Sequence, residues 1–142
     1  MSYLDLPRDL AKHPLHDDGV AADVIDLIVG PDDRERGRVA LMLCDDRAVG
    51  VRPVLIADVP PHAGPGPVLT LLDRILPGVA RDGGMVLFGR GRPGGVLLTD
   101  TDRRFHQAVI DACRSHGVPL IGAFLATPAA VRPFPPDLRV VT

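Results

Sequence analysis

The sequence is poor in the residue types on which several kinds of catalysis and binding depend. It has no tryptophan and only 4% aromatic residues, which argues against the stacking platforms that hold single-stranded nucleic acid. Its two serines, Ser2 and Ser115, lie outside any G-x-S-x-G nucleophile elbow. Cys44 and Cys113 lack the close spacing of a zinc knuckle or a disulfide framework. We therefore predict a protein without catalytic residues, metal or cofactor.

Long apolar runs and a basic leader are also missing. No apolar stretch approaches the 18 or so residues that a membrane span needs, and the first residues do not form a signal peptide. We therefore expect a cytoplasmic protein that makes no membrane contact. The single lysine beside 15 arginines is typical of a GC-rich bacterial genome. A net charge of −2 gives no general attraction for nucleic acid.

The chain is nevertheless rich enough in apolar residues to fold on its own. With 142 residues, 46% of them apolar, it is expected to form one α/β domain over residues 1–142 and to bury a core without a metal or disulfide. Residues 1–18 are interpreted as an irregular lead-in. Residues 128–142 are interpreted as a proline-rich tail, with a final strand near residues 138–141.

Hydrophobic periodicity predicts the order α-β-β-α-β-α-β. The predicted helices are residues 19–28, 68–76 and 99–116, and the predicted strands are residues 39–44, 51–59, 84–88 and 118–126. Pro53 should lie at the start of its strand or on a sheet edge, and Pro77 should end or kink its helix. Thr99 and Asp102 form a capping pattern at the start of the last helix, and Gly117 suits its end. The two strand–helix–strand crossovers predict parallel neighbours in a mixed sheet of four to five strands, with helices on both faces.

The most distinctive stretch follows the third predicted strand. It reads Gly89-Arg90-Gly91-Arg92-Pro93-Gly94-Gly95 and is predicted to be a loop. Arginine forks, flexible glycines and a helix N-terminus suit a carboxylate or phosphate. The candidate ligand-binding residues are Arg90, Gly91, Arg92, Gly94, Gly95 and Thr99. The alternative is a plain flexible turn with solvated arginines, and the stretch matches neither a Walker A motif nor G-x-G-x-x-G.

The second half of the chain resembles the RadC-type branch of the JAB/MPN domain family, whose core is similar to the cytidine-deaminase fold. In that family a strand leads into a metal-binding loop H-x-H-P-S-G, a Ser-x-x-Asp opens the next helix, and a G-[IV]-x-L strand follows. The counterparts are Met85-Val86-Leu87-Phe88, Arg90-Gly91-Arg92-Pro93-Gly94-Gly95, Thr99-x-x-Asp102, Gly117-Val118-Pro119-Leu120 and the closing Val131-Arg132-Pro133-Phe134.

The departures from the family pattern concern its chemistry. Arg90 and Arg92 stand where the metal-ligand histidines would be, and a guanidinium cannot ligate a cation. The only glutamate, Glu35, precedes the first strand, whereas the family has a catalytic glutamate near the second. The resemblance therefore implies a pseudoenzyme. Asp102 is either the remaining position of the family's metal site or simply a helix-capping residue.

Three functional hypotheses remain open. The first is a catalytically inactive JAB/RadC-like domain that binds a partner protein or self-associates. Residues 1–60 carry 7 basic and 12 acidic side chains and residues 61–142 carry 9 and 6, which would suit a head-to-tail contact or be ordinary surface variation. The second is a sensor of small anions or nucleotides that uses Arg90 and Arg92. The third is an enzyme with a site around Asp58 and His62, which is otherwise a surface histidine.

Overall fold

The computed structural model describes residues 13–135, which fold into a mixed α/β arrangement. The elements in chain order are α1 (Asp18–Ile28), α2 (Pro31–Arg36), β1 (Arg38–Cys44), β2 (Gly50–Ala57), α3 (Gly66–Arg81), β3 (Met85–Gly91), α4 (Asp100–Ser115), β4 (Leu120–Ala126) and β5 (Val131–Pro133). The α/β class and the predicted succession of elements are confirmed. The short helix α2 and the strand β5 are additional to that succession.

The five strands form one open sheet in the order β2-β1-β3-β4-β5. Only β3 and β4 are parallel neighbours; the other adjacent pairs are antiparallel. The prediction of parallel neighbours is therefore right for the crossover through α4 and wrong for the crossover through α3. For the crossover through α3, β1 lies between β2 and β3 and pairs with both, so the connection from β2 to β3 passes over β1.

Alternate residues of the strands face two separate apolar clusters. On one face, Val39 and Leu41 of β1 pack with the buried sides of α3 and α4. On the other, Ala40 and Met42 pack with the buried side of α1. This alternation follows from the two-residue period of a strand, and it confirms a mixed sheet with helices on both faces.

Two glycines of β3 set how closely α1 approaches the sheet. A Cβ atom at Gly89 would lie 2.8 Å from Cδ1 of Ile25, and one at Gly91 would lie 2.5 Å from Cγ1 of Val29. Both separations are shorter than carbon atoms tolerate. The missing side chains therefore allow α1 to lie directly on the backbone of β3.

The helix ends follow the capping chemistry that their residues predict. Thr99 accepts a hydrogen bond from the backbone N–H of Asp102, whose carboxylate accepts one from the N–H of Thr99, so the predicted capping box is confirmed. Gly117, with φ of +68°, follows the helix in the left-handed region that glycine tolerates. At α1 the side chain of Asp17 caps the first turn, so this helix begins at Asp18, inside the predicted lead-in.

Both prolines that the sequence singles out lie inside an element. Pro53 lies in β2, the edge strand, as predicted. Pro77 does not end α3, which continues to Arg81, because Leu76 and Val79 on either side of it are buried in the core. Within the predicted proline-rich tail, residues 131–133 form β5 against β4. The strand predicted near residues 138–141 lies outside the described residues.

Candidate functional site

The arginines of the Gly-Arg stretch are buried, not solvated. Strand β3 continues to Gly91, so Arg90 lies inside a strand where a loop was predicted. Its side chain follows Val86 and Phe88 onto the face covered by α3 and α4, as the alternation of a strand requires. Arg90 is 1% exposed and Arg92 6% exposed. The Cζ atom of Arg90 lies 4.3 Å from the centre of the Phe105 ring, which is a cation–π contact.

Both arginines donate to one fully buried carboxylate, that of Asp102. Nε of Arg90 lies 2.8 Å from Oδ1 of Asp102. Arg92 makes a forked contact in which its Nε is 2.8 Å from Oδ1 and its Nη2 is 2.8 Å from Oδ2. The backbone N–H of Thr99 donates to Oδ2 at 2.9 Å. We call Arg90, Arg92 and Asp102 the arginine cluster; it lies where the carboxyl end of β3 meets the start of α4.

The other guanidinium donors hold the surrounding loops. Nη2 of Arg90 donates to the carbonyl of Pro61, in the loop that follows β2. Arg92 donates through Nη1 to the carbonyls of Pro93 and Gly95, and through Nη2 to the carbonyl of Leu97. One side chain thus satisfies three carbonyl groups of the segment between β3 and α4, which has no strand or helix of its own.

The electrostatics of the cluster favour the charged carboxylate. Burial by itself would raise the pKa of Asp102, but the hydrogen bonds from Arg92, Thr99 and Arg90 outweigh it and lower the pKa from 3.8 to about 2. Burial lowers the pKa of the Arg90 guanidinium, and the hydrogen bond and charge of Asp102 act against that change. Two cations share one anion, so the cluster carries a formal charge of +1.

The arrangement of the arginine cluster does not favour binding of either a metal ion or a free anion. A divalent cation at Asp102 would replace or face two guanidinium groups, and like charges repel strongly in a buried site. An anion at Arg90 and Arg92 would have to displace Asp102 or the loop carbonyls that now accept their hydrogen bonds. The geometry is that of a closed, internally paired cluster.

The structure distributes the remaining candidate ligand-binding residues between the cluster and its surroundings. Gly95 and Thr99 both contact the cluster through their backbones. Gly94 has φ of +96°, a conformation that favours glycine, and shapes the same loop. Gly91, by contrast, packs toward α1 on the opposite face of the sheet.

No second site emerges from the histidines and acids. Within residues 13–135, no group of three or more histidine, cysteine, aspartate or glutamate side chains is arranged to hold a metal. Asp58 and His62, the basis of the third hypothesis, are both exposed. Cys44 and Cys113 are buried, and burial raises the pKa of each thiol to about 12, so neither is an activated nucleophile.

A groove that the sequence did not predict lies on another part of the molecule. It has a volume of about 830 Å³ and runs beside the first half of β4, between that strand, the later turns of α4 and the chain after β5. Its lining includes Ile110, Arg114, Ile121, Arg132 and Phe134. The sequence indicates this groove only indirectly, because finding it requires knowing that β5 is too short to cover β4. We call this feature the β4 groove.

Comparisons with known proteins identify no relative. No protein-family model, curated protein or solved structure matches the chain. Among the helices of residues 13–135, none combines the length and apolar character that a bilayer crossing requires.

Proposed function

We propose that this protein is a catalytically inactive domain of the RadC-type JAB/MPN kind, and that it serves as a protein-binding or scaffold module. The observation that carries the proposal is the convergence of Arg90, Arg92 and Asp102. These are the three positions that the sequence resemblance aligns with metal ligands. Although Asp102 lies 12 residues from Arg90 in the chain, their side chains meet at one point, as ligands of a metal site would.

The chemistry of the cluster supports loss of a metal site more than its retention. Two permanently protonated guanidinium groups supply the positive charge that a bound cation would have supplied to Asp102. The carboxylate remains buried and fully paired, so the scaffold keeps its packing without a metal. What is left at this point is a paired charge cluster without a nucleophilic side chain.

The order of elements supports the resemblance as well. The helix α1, the β1–β2 hairpin and the two later crossovers follow the α-β-β-α-β-α-β order on which the resemblance was based. The cluster lies at the carboxyl ends of β3 and β4, where the backbone N–H of Arg92 donates to the carbonyl of Ala126. In α/β proteins this end of the sheet is where functional sites are commonly found.

Metal analysis of the purified chain tests the proposal. We expect no stoichiometric zinc in the wild-type protein and no zinc-dependent hydrolase or deaminase activity. The double variant Arg90→His/Arg92→His should gain zinc binding, because two imidazoles and Asp102 provide three ligands. The matched control is Arg90→Gln/Arg92→Gln, which removes the same charges without adding zinc ligands. Tightly bound zinc together with catalysis in the wild-type protein would refute the proposal.

The sensor hypothesis predicts a different result from the same protein. Nucleotides or phosphorylated metabolites would raise the Tm of a sensor by binding its folded state. We expect them to leave Tm unchanged, because the hydrogen bonds that Arg90 and Arg92 donate already have acceptors within the chain. A ligand-induced increase that is lost in Arg92→Ala would favour the sensor instead.

A further inference from the structure

Among the residues that the structure describes, the first part of β4 has a partner strand on one side only. Strand β5 pairs with residues 124–126 of β4, and one more bond joins the N–H of Phe134 to the carbonyl of Ala123. Within the described chain, Leu120 and Gly122 pair with β3 alone. Their exposure changes accordingly, since residues 120–122 are half-buried whereas residues 123–126 are buried.

This edge lacks the charged side chains that keep many strand edges from pairing. The edge strand β2 contains Pro53 and Arg52, a proline and a charge of the kind that discourages strand addition. The segment 118–126 has no charged residue. The β3–β4 register also shifts at this point, so Ile121 has no partner on β3. Within residues 13–135, an apolar inner strand therefore ends in an uncharged edge that has no partner strand beside the β4 groove.

The chain that continues from β5 is poorly suited to complete the pairing. In the observed register Pro133 lies opposite Phe124, so a direct continuation would bring residues 135 and 136 opposite residues 122 and 121. Both are prolines, which have no N–H to donate. The missing hydrogen bonds are better supplied by another chain.

The lining of the β4 groove indicates which kind of chain would fit. Its walls are mainly apolar, with Ile110 of α4 on one side and Phe134 after β5 on the other. The charged side chains in the lining are Arg114, Arg132 and Asp18, and the excess is positive. Alternate side chains of an extended segment would point to the two walls, and acidic groups would be attracted to the arginines.

We propose that the β4 groove binds an extended, apolar segment of a partner protein that carries acidic side chains and adds to residues 120–122 as a strand. Backbone hydrogen bonds would supply affinity, and the groove walls would select side chains, as in other cases of strand addition. The inference deepens the proposed scaffold role by naming the surface and the chemistry of the partner. The β4 groove and the arginine cluster consist of different residues. Zinc bound at the cluster would therefore refute the proposed function, whereas a failure to bind peptide would refute only the present inference.

Fluorescence anisotropy with a designed peptide tests the inference on the full chain. The probe is a fluorescein-labelled peptide, EVTVTVE, which is extended, β-branched and acidic at both ends. We expect saturable binding with Kd below about 1 mM. The peptide KVTVTVK should bind at least about fivefold more weakly, because its charges repel Arg114 and Arg132. An EVTVTVE peptide N-methylated at alternate residues should lose about tenfold or more, because it cannot donate to the edge.

Variants of the protein locate the binding site. Arg114→Glu should weaken binding of EVTVTVE about fivefold. The matched control is Arg104→Glu, which reverses a charge on the same helix outside the groove lining and should leave binding unchanged. Hydrogen exchange should show new protection in residues 120–122 when the peptide is added. Circular dichroism of each variant establishes that it is folded before its binding is compared.

Several outcomes would overturn the inference. No saturable binding up to about 1 mM, or equal binding of the N-methylated peptide, would exclude strand addition. A dimer in light scattering that the peptide dissociates would assign the groove to a second copy of the chain. Protection of residues 120–122 in the free monomer that the peptide does not change would assign it to the chain's own C-terminal residues.

Discussion

Replacement of Asp102 by asparagine removes the only negative charge of the arginine cluster with almost no change in side-chain volume. Asparagine has nearly the same size and can accept one hydrogen bond from a guanidinium group, so the packing at this buried position is kept. What changes is that Arg90 and Arg92 lose their shared counter-ion in a site that water hardly reaches. The variant therefore removes the charge and one of the two acceptor atoms of Asp102 without opening a cavity.

The expected loss of stability is large. Removal of one partner from a buried ion pair typically costs about 3–5 kcal/mol, because the other charge stays buried without compensation. Here two guanidinium groups are left, and Arg92 also holds the carbonyls of Pro93, Gly95 and Leu97. We therefore expect Asp102→Asn to lower the free energy of unfolding by about 3–5 kcal/mol, a large part of the stability of a typical domain.

Urea unfolding followed by circular dichroism measures this difference. The matched control is Asp100→Asn, which removes a carboxylate from the same helical turn, where the side chain is 95% exposed. The control should change the free energy of unfolding by less than about 1 kcal/mol. If Asp102→Asn costs no more than Asp100→Asn, the two arginines do not depend on this carboxylate and the description of the cluster is incorrect.

Three further predictions concern other properties of the fold. The pKa of Asp102 is lowered in the folded state, so the charged carboxylate should contribute about 2 kcal/mol to the free energy of unfolding. This contribution should be complete above pH 4 and should disappear as the pH falls toward 2, which urea unfolding at a series of acid pH values would measure. A free energy of unfolding that does not fall in this range would contradict the low pKa. Gly91→Ala should destabilise the fold by about 1–3 kcal/mol because its Cβ would clash with α1, whereas Gly95→Ala, which meets nothing within 4 Å, should unfold at nearly the wild-type urea concentration; equal midpoints would argue against the close packing of α1. Cys44 and Cys113 should react with a thiol reagent only as fast as the protein unfolds, and rapid labelling of native protein would show that they are more accessible than described.

Local patterns predicted the elements better than their arrangement. The capping box of α4 and the apolar periodicity of α1 and β1 depend only on residues that are close together in the chain. The positions of these three elements could therefore be predicted from the sequence. The insertion of β1 between β2 and β3 did not, because strand neighbours are chosen by packing across the whole sheet. The end of α3 was predicted too early, at residue 76, for a similar reason, since burial of the residues beside Pro77 outweighs the local cost of a proline.

The arginine cluster shows where composition misleads. A stretch of alternating glycine and arginine followed by Pro93 has the composition of a loop, yet β3 continues through Arg90. Strand alternation from Val86 and Phe88 could have placed Arg90 on the buried face. Its partner could not be found in this way, because the pairing with Asp102 joins residues on different elements and depends on how α4 packs on β3.

The sharing of one carboxylate by two guanidinium groups restricts how these positions can evolve. Any single replacement leaves either a buried charge without its partner or loop carbonyls without their donor. Each variant with one replacement is therefore expected to be less stable than the starting protein. Changes at positions 90, 92 and 102 should therefore be inherited together, and true descendants of a common ancestor should keep all three or none.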